Sequence, residues 1–156
     1  MQYNVNKQHD NFKLHAIERL RLLLDKDSFK EIGKDVSEFG TAYSDSKYQY
    51  DGVITGYGYI KNKLVFVSAQ DFTVCGGTVG LKHAKKIVRV IDLAIENKVP
   101  IIGINDSGGA RIQEGVNSLA GYGEIFFKNS KASGYIPQIS IIVGPCAGGA
   151  VYSPGI

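Results

Sequence analysis

The sequence predicts an α/β fold with parallel crossovers, and three observations carry that reading. Two apolar runs rich in Ile and Val, residues 99–105 and 138–144, lack polar alternation and read as strands covered on both faces. Each leads directly into a glycine-rich turn, Asp106-Ser107-Gly108-Gly109-Ala110-Arg111 in one case and Cys146-Ala147-Gly148-Gly149-Ala150 in the other. From residue 52 onward, strand-like and helix-like stretches follow the order strand, strand, helix, strand, helix, strand.

Taken along the chain, residues 12–24 carry Ile17, Leu20 and Leu24 at helical spacing, broadened by Leu22 and Leu23, and Asp25-Lys26-Asp27-Ser28 closes the helix as a turn. Residues 1–40 therefore read as an N-terminal arm with a docking helix, and 41–156 as the main body. Residues 45–50 are polar and read as a loop. Residues 52–60 and 64–68 read as strands of a hairpin joined through Lys61-Asn62-Lys63. Between 78 and 97, Leu81, Ala84, Val88, Ile91 and Ile95 mark an amphipathic helix after Gly76-Gly77, with Thr78 as its expected cap. A second helix is expected over 116–128. The last residues, 148–156, stop where a strand and turn should lead into a helix, which predicts a truncated piece of something longer.

The 156 residues suit one domain that buries roughly 70% of its unfolded surface. A net charge of +3 with mixed signs leaves no footprint for nucleic acid or a membrane surface. The N-terminus has no apolar signal core and no stretch is long enough to span a bilayer, so cytosol is the default compartment. Cys75 and Cys146 lack metal spacing and read as reduced structural thiols. His9, His15 and His83 lack ligand spacing and read as surface residues, so no metal is expected. Gly56-Tyr57-Gly58 misses the third glycine of a dinucleotide fingerprint, and no Walker-type loop occurs.

What remains is a site poor in acids and bases but rich in backbone donors. Without Cβ atoms, a turn lets a ligand carbonyl approach the peptide N–H groups. Two turns serving one carbonyl would stabilise an enolate or a tetrahedral oxyanion. Tight strand-to-helix packing is the competing explanation for the glycines. Arg111 reads as an anion contact and Glu114 as a general base, or both as partners fixing the loop, the better-supported alternative. Lys82, Lys85, Lys86 and Arg89 share one helical stripe, either as a solvated face, the commoner case, or as phosphate contacts.

The run Asp106-Ser107-Gly108-Gly109-Ala110-Arg111-Ile112-Gln113-Glu114-Gly115 resembles biotin-dependent acyl-CoA carboxyltransferases, and so do residues 132–140, 144–154, 68–77 and 18–29. Similarity thus covers about residue 12 to the end, with the propionyl-CoA carboxylase beta type as the nearest pattern. The resemblance implies a crotonase-like (ClpP/crotonase) fold of ββα units, with 41–156 the first part of its N-terminal domain. It implies backbone oxyanion donors at Gly108, Gly109, Ala110, Gly148 and Gly149. With an acyl-CoA as the ligand, the stripe of Lys82, Lys85, Lys86 and Arg89 read from spacing is the candidate for its phosphate contacts, and Arg111 a candidate anion contact.

In that family carboxybiotin releases CO2, the biotin ureido group takes the α-proton, and the acyl-CoA enolate attacks. The substrate would be propionyl-CoA or acetyl-CoA. The implied partners are a biotin carboxyl carrier, a biotin carboxylase subunit and further copies in a homo-oligomer, in the cytoplasm or a mitochondrial matrix. The biotin-side oxyanion hole would lie in a second domain, so this chain alone is expected to be inactive. A methylmalonyl-CoA-type decarboxylase subunit and a non-catalytic crotonase-like binding or assembly module are the alternatives. Cys75 stands where the family often has an aromatic residue and Gly155 where alanine is usual, while the lack of a zinc cysteine cluster argues against the bacterial acetyl-CoA carboxylase beta type.

Overall fold

A computed structural model describes residues 5–34, 36 and 50–156. Its centre is a five-stranded sheet in the order β1-β2-β3-β4-β5, made of β1 (Lys30–Ile32), β2 (Val53–Ile60), β3 (Lys63–Gln70), β4 (Ile101–Ser107) and β5 (Gln138–Cys146). β1, β2 and β3 pair antiparallel, while β3, β4 and β5 run parallel. The expected hairpin is present. Lys61 and Asn62 both take positive φ, 50° and 63°, the handedness that matches a two-residue turn to the twist of its strands.

The helices are α1 (Asn6–His9), α2 (Ala16–Leu23), α3 (Leu81–Asn97), α4 (Val116–Ala132) and α5 (Gly149–Gly155). β2, β3 and α3 form a ββα unit, followed by β4–α4 and β5–α5. α3 begins at Leu81 rather than at 78. Thr78 caps nothing there, because its hydroxyl donates to the Cys75 carbonyl at 2.6 Å. β1 escapes sequence reading because three residues are too few for a period. Its presence explains Gly56, where any Cβ would fall 2.1 Å from the Lys30 carbonyl oxygen.

α2 starts at Ala16, four residues after the start of the expected range, because His15 and Glu18 form a reciprocal capping box and Phe12 takes a positive φ in open solvent. The docking helix of the expected arm docks on this chain's own sheet. Ala16, Ile17, Leu20 and Leu24 pack against Ile54, Val65, Val67, Ala69, Ile102 and Ile104. Leu20 is fully buried, which contributes about 1.5–3 kcal/mol. The expected boundary at residue 40 and most of the expected 45–50 loop lie outside the described residues. On the opposite face, Val90, Ile91 and Ala94 of α3 and Ala132 of α4 close over Phe66 and Ile101.

Covering differs between the two apolar strands. β4 is buried on both faces as expected. β5 is not: Ile141 and Val143 pack against the core, but Ile139 and Ile142 are 47% and 58% exposed. β5 pairs only with β4 among the described strands, and composition alone does not reveal which strand lies at an edge.

Two of the three histidines also depart from expectation. His15 and His83 are fully buried, while His9 is on the surface and bonds Glu18. Each buried ring is matched on both nitrogens, which is what makes burial tolerable. His15 caps α2 through Nδ1 and donates from Nε2 to Asp71 at 2.9 Å. His83 donates from Nδ1 to the Asp51 carbonyl at 2.8 Å and receives Gln70 Nε2 at 3.4 Å.

Burial holds the His83 imidazole well below the usual histidine range, and the nearby Arg111 charge pushes the same way. The folded ring stays neutral while the unfolded one takes a proton below about pH 6.5. Stability is therefore complete above that value and falls as pH drops below it, by up to about 1.4 kcal/mol per unit until the folded ring protonates. Urea unfolding between pH 7.5 and 5 is expected to show this slope and His83→Gln to flatten it; equal slopes in the two proteins would exclude the assignment.

Candidate functional site

Because β4 and β5 are parallel neighbours, the glycine turns that follow them emerge side by side at one end of the sheet. Ser107 and Cys146 are register partners, and Ala147 N donates to the Ser107 carbonyl at 3.2 Å. The approach is close enough to require glycine at 109. Its φ is +101°, and a Cβ there would fall 2.8 Å from the Ala147 carbonyl oxygen. Gly148, at φ +54°, faces open space.

Accounting for each N–H narrows the donor set. Gly108 N donates to the Gly76 carbonyl at 3.0 Å and Gly109 N to Ser107 Oγ at 3.1 Å, so both amides are occupied within the protein. Among the described hydrogen bonds none uses the N–H of Ala110, Gly148 or Gly149. Ala110 is left this way by the bridge to Val79, in which its neighbours Gly109 and Arg111 make the bonds and its own amide points elsewhere. Among the described residues the two turns thus present three unused amides.

A family model for the carboxyl transferase domain matches residues 7–156. The chain belongs to the carboxyl transferase domain family. It is 55% identical to the propionyl-CoA carboxylase beta chain of Roseobacter denitrificans, over 99% of this chain and 31% of that protein. It is 56% identical to the methylmalonyl-CoA decarboxylase subunit alpha of Veillonella parvula, over 97% of this chain and 30% of that protein. A crystal structure of the transcarboxylase 12S hexamer, with methylmalonyl-coenzyme A bound, superposes with a TM-score of 0.90 at 49% identity, covering 96% of this chain and 30% of that one. The crotonase-like carboxyl transferase fold is therefore the fold of this chain, which spans about 30% of the length of these relatives.

Within this carboxyl transferase fold, the charged residues near the turns are mostly structural. The Arg111 guanidinium is buried, pairs with Asp51, reaches Glu114 Oε1 at 3.0 Å and donates to the Thr78 carbonyl at 2.8 Å. As an anion contact it is withdrawn, since its donors are turned inward. Glu114 accepts from Leu81 N at 2.8 Å, capping α3 from 33 residues away, and so is not free to act as a base. Gly80 makes room for it, since a Cβ there would fall 2.1 Å from Glu114 Oε1. Lys86 also leaves the candidate stripe, buried with Nζ donating to the Val53 carbonyl at 2.6 Å. Lys85 and Arg89 remain exposed and Lys82 half-buried on α3. Among the described residues no helix is long and apolar enough to cross a membrane.

Sequence reading missed three groups that hold the turns. Asp106 is fully buried at the start of the first turn and pairs with Arg19 of α2 at 2.8 Å, with Lys13 Nζ 4.0 Å from its other oxygen. The backbone N–H of Asp106 donates to Gln70 Oε1 at 3.2 Å, extending the chain of bonds that reaches His83. Tyr122 of α4 packs its ring on the second turn, where a Cβ at Gly149 would fall 2.9 Å from the ring. No local period signals these groups, because the partners lie far apart in sequence.

Proposed function

We propose that this chain contributes one half of an acyl-CoA carboxyltransferase site, with the amides of Ala110, Gly148 and Gly149 holding the thioester oxygen as negative charge develops on it. The observation that carries the reading is the pair of adjoining turns with three N–H groups that no hydrogen bond among the described residues uses. Donors fixed in place before the reaction lower the barrier without reorganising, and each well-placed one contributes roughly 10²- to 10³-fold in rate. Gly108 and Gly109 serve the hole indirectly: their own amides are bonded inward, and their lack of side chains lets the two turns meet.

The stripe of Lys82, Lys85 and Arg89 begins beside the first turn, since Val79 just before α3 pairs with Ala110. These cations are proposed to take the coenzyme A phosphates. The carrier's biotin, when docked, supplies the carboxyl group as CO2 and accepts the α-proton, and no described residue of this chain is assigned to hold it. Propionyl-CoA is the proposed acyl substrate. A biotin carboxyl carrier and a biotin carboxylase subunit are the proposed partners, within a homo-oligomer of the longer polypeptide. On its own the chain is expected to bind substrate without turning it over.

Calorimetric titration of the chain with propionyl-CoA tests the reading. Saturable binding beyond that of coenzyme A alone is expected, and at 100 times Kd the ligand adds about 2.7 kcal/mol to stability. Gly148→Val is expected to remove that stabilisation. Its Cβ meets nothing, but its positive φ is strained for Val by about 1–3 kcal/mol, which resets the turn. Unchanged binding by a folded Gly148→Val chain would overturn the hole, and absence of acyl-specific binding by the parent would favour a non-catalytic module.

The identity to a methylmalonyl-CoA decarboxylase subunit supports a second reading, because the same enolate forms when CO2 leaves the methylmalonyl thioester. Carboxylation of propionyl-CoA against release of CO2 from methylmalonyl-CoA by the complete assembly separates the two.

A further inference from the structure

We infer that Asp106 is a positioning residue for the oxyanion hole: its carboxylate, seated in a bulge of β5 at Gly144, sets how the second glycine turn lies against the first. The inference rests on the proposed hole and deepens it. Asp106 is fully buried, one residue before the end of β4, and other segments of the chain hold it there. Its N–H donates to Gln70 Oε1 of β3 at 3.2 Å, and its carboxylate pairs with Arg19 of α2 at 2.8 Å. Its carbonyl oxygen lies against Gly77, where a Cβ would fall 2.1 Å away.

The ladder between β4 and β5 is interrupted at this point. Asn105 pairs with Ile142 and Ser107 with Cys146, so between the two pairs β4 has Asp106 alone while β5 has Val143, Gly144 and Pro145. Pro145 has no N–H to give to a ladder, and a bulge is where a strand admits proline. The Asp106 carboxylate fills the space over this bulge: a Cβ at Gly144 would fall 2.0 Å from its Oδ1 and 2.8 Å from its Oδ2. Among the described residues neither carboxylate oxygen accepts a hydrogen bond, so the charges of Arg19 and Lys13 and the close wall of Gly144 fix its place.

What is set at the bulge reaches the hole within a few residues. Pairing resumes at Ser107 and Cys146, and Ala147 N donates to the Ser107 carbonyl at 3.2 Å. The offset between the strands is therefore passed to Ala110 on one side and to Gly148 and Gly149 on the other. Asp106 acts by spacing the strands that carry these amides. A charge developing on the thioester oxygen needs donors from both turns in place together, and a ground-state carbonyl depends less on that alignment.

The test is made in the intact subunit within its complete assembly, with the affinity for propionyl-CoA measured beside turnover. Gly144→Ala leaves Asp106 and Arg19 in place and forces the carboxylate or β5 to move. It is expected to lower kcat about 10-fold or more, since a misplacement of about 1 Å can cost about 10²-fold, while KM and the calorimetric Kd rise no more than about 3-fold. Asp106→Asn keeps the shape over Gly144 but removes the attraction to Arg19, and is expected to lower kcat about 3-fold or more with the same small change in KM. Where Gly144→Ala does not fold, Asp106→Asn decides. Unchanged kcat in the folded, deciding variant would overturn the inference. So would a loss of acyl-CoA affinity as large as the loss of kcat, because that marks collapse of the site. Gly148→Val in the same enzyme separates this failure from failure of the hole: if it abolishes turnover while the deciding variant is silent, only the role of Asp106 falls. If Gly148→Val is silent too, the hole falls with it.

Discussion

Replacing Arg111 by Met is expected to destabilise the chain by about 3–5 kcal/mol, the cost typical of removing one partner from a buried ion pair. The guanidinium lies between Asp51 and Glu114, whose side chains are as buried as its own, and it also satisfies the Thr78 carbonyl. Met fills similar volume but leaves two carboxylates facing each other with no cation between them. Burial already raises the Asp51 carboxyl above its ordinary value, against the pull of Arg111, and losing Arg111 raises it further. A raised folded pKa means that protonation favours the folded state, so the variant's deficit should shrink as pH falls from 7.5 towards 5. Urea unfolding of both proteins at both pH values reads this directly. Arg111→Lys should recover only part of the loss, because one ammonium cannot span the three acceptors that the planar fork reaches. A loss below about 1 kcal/mol would match an exposed ion pair instead, and would return Arg111 to the set of substrate contacts.

The Arg111 cluster also shows where sequence reading stops. The order of elements, the hairpin and both glycine turns were legible because each rests on local composition or on a short period. Gly108 and Gly109 could be picked out as glycines, but not their occupied amides, since one acceptor is Gly76 in another loop and the other the Ser107 hydroxyl, whose orientation only the folded turn sets. The cationic stripe on α3 followed from spacing. Spacing does not show that Lys86 turns inward to a β2 carbonyl while Lys85 and Arg89 remain exposed. β4 and β5 have similar apolar content, and what distinguishes them is the presence of covering elements on the second face. Arg19–Asp106 and Arg111–Asp51 join residues 87 and 60 positions apart, so no window over the sequence contains them.

Loss of the Asp71 carboxylate is expected to loosen α2 from the sheet and, through it, the first glycine turn. Asp71 is almost wholly buried and accepts from His15 Nε2, from the Tyr50 hydroxyl, and from the amide and hydroxyl of Thr73 at 2.9 Å each. Asp71→Leu would strand these donors without an acceptor, at about 1–3 kcal/mol for each one that finds no water. The combined loss should be at least about 3 kcal/mol. Asp71→Asn keeps one acceptor oxygen and should lose less.

The pH dependence follows from the same contacts. Burial alone would raise the Asp71 carboxyl, but hydrogen bonds from His15, Tyr50 and the Thr73 amide outweigh it and hold the pKa below its ordinary value. This stabilisation is present above the unfolded value near pH 3.9 and is lost as pH falls through the folded one, so the acid unfolding limb below about pH 4 should flatten in Asp71→Asn. The functional consequence runs through His15. It caps α2, and α2 supplies Arg19 to Asp106 at the base of the first turn. Asp71→Asn should therefore weaken propionyl-CoA binding as well as stability, although Asp71 has no place at the hole. Unaltered affinity in a folded Asp71→Asn chain would show that the turn keeps its shape without α2 holding it.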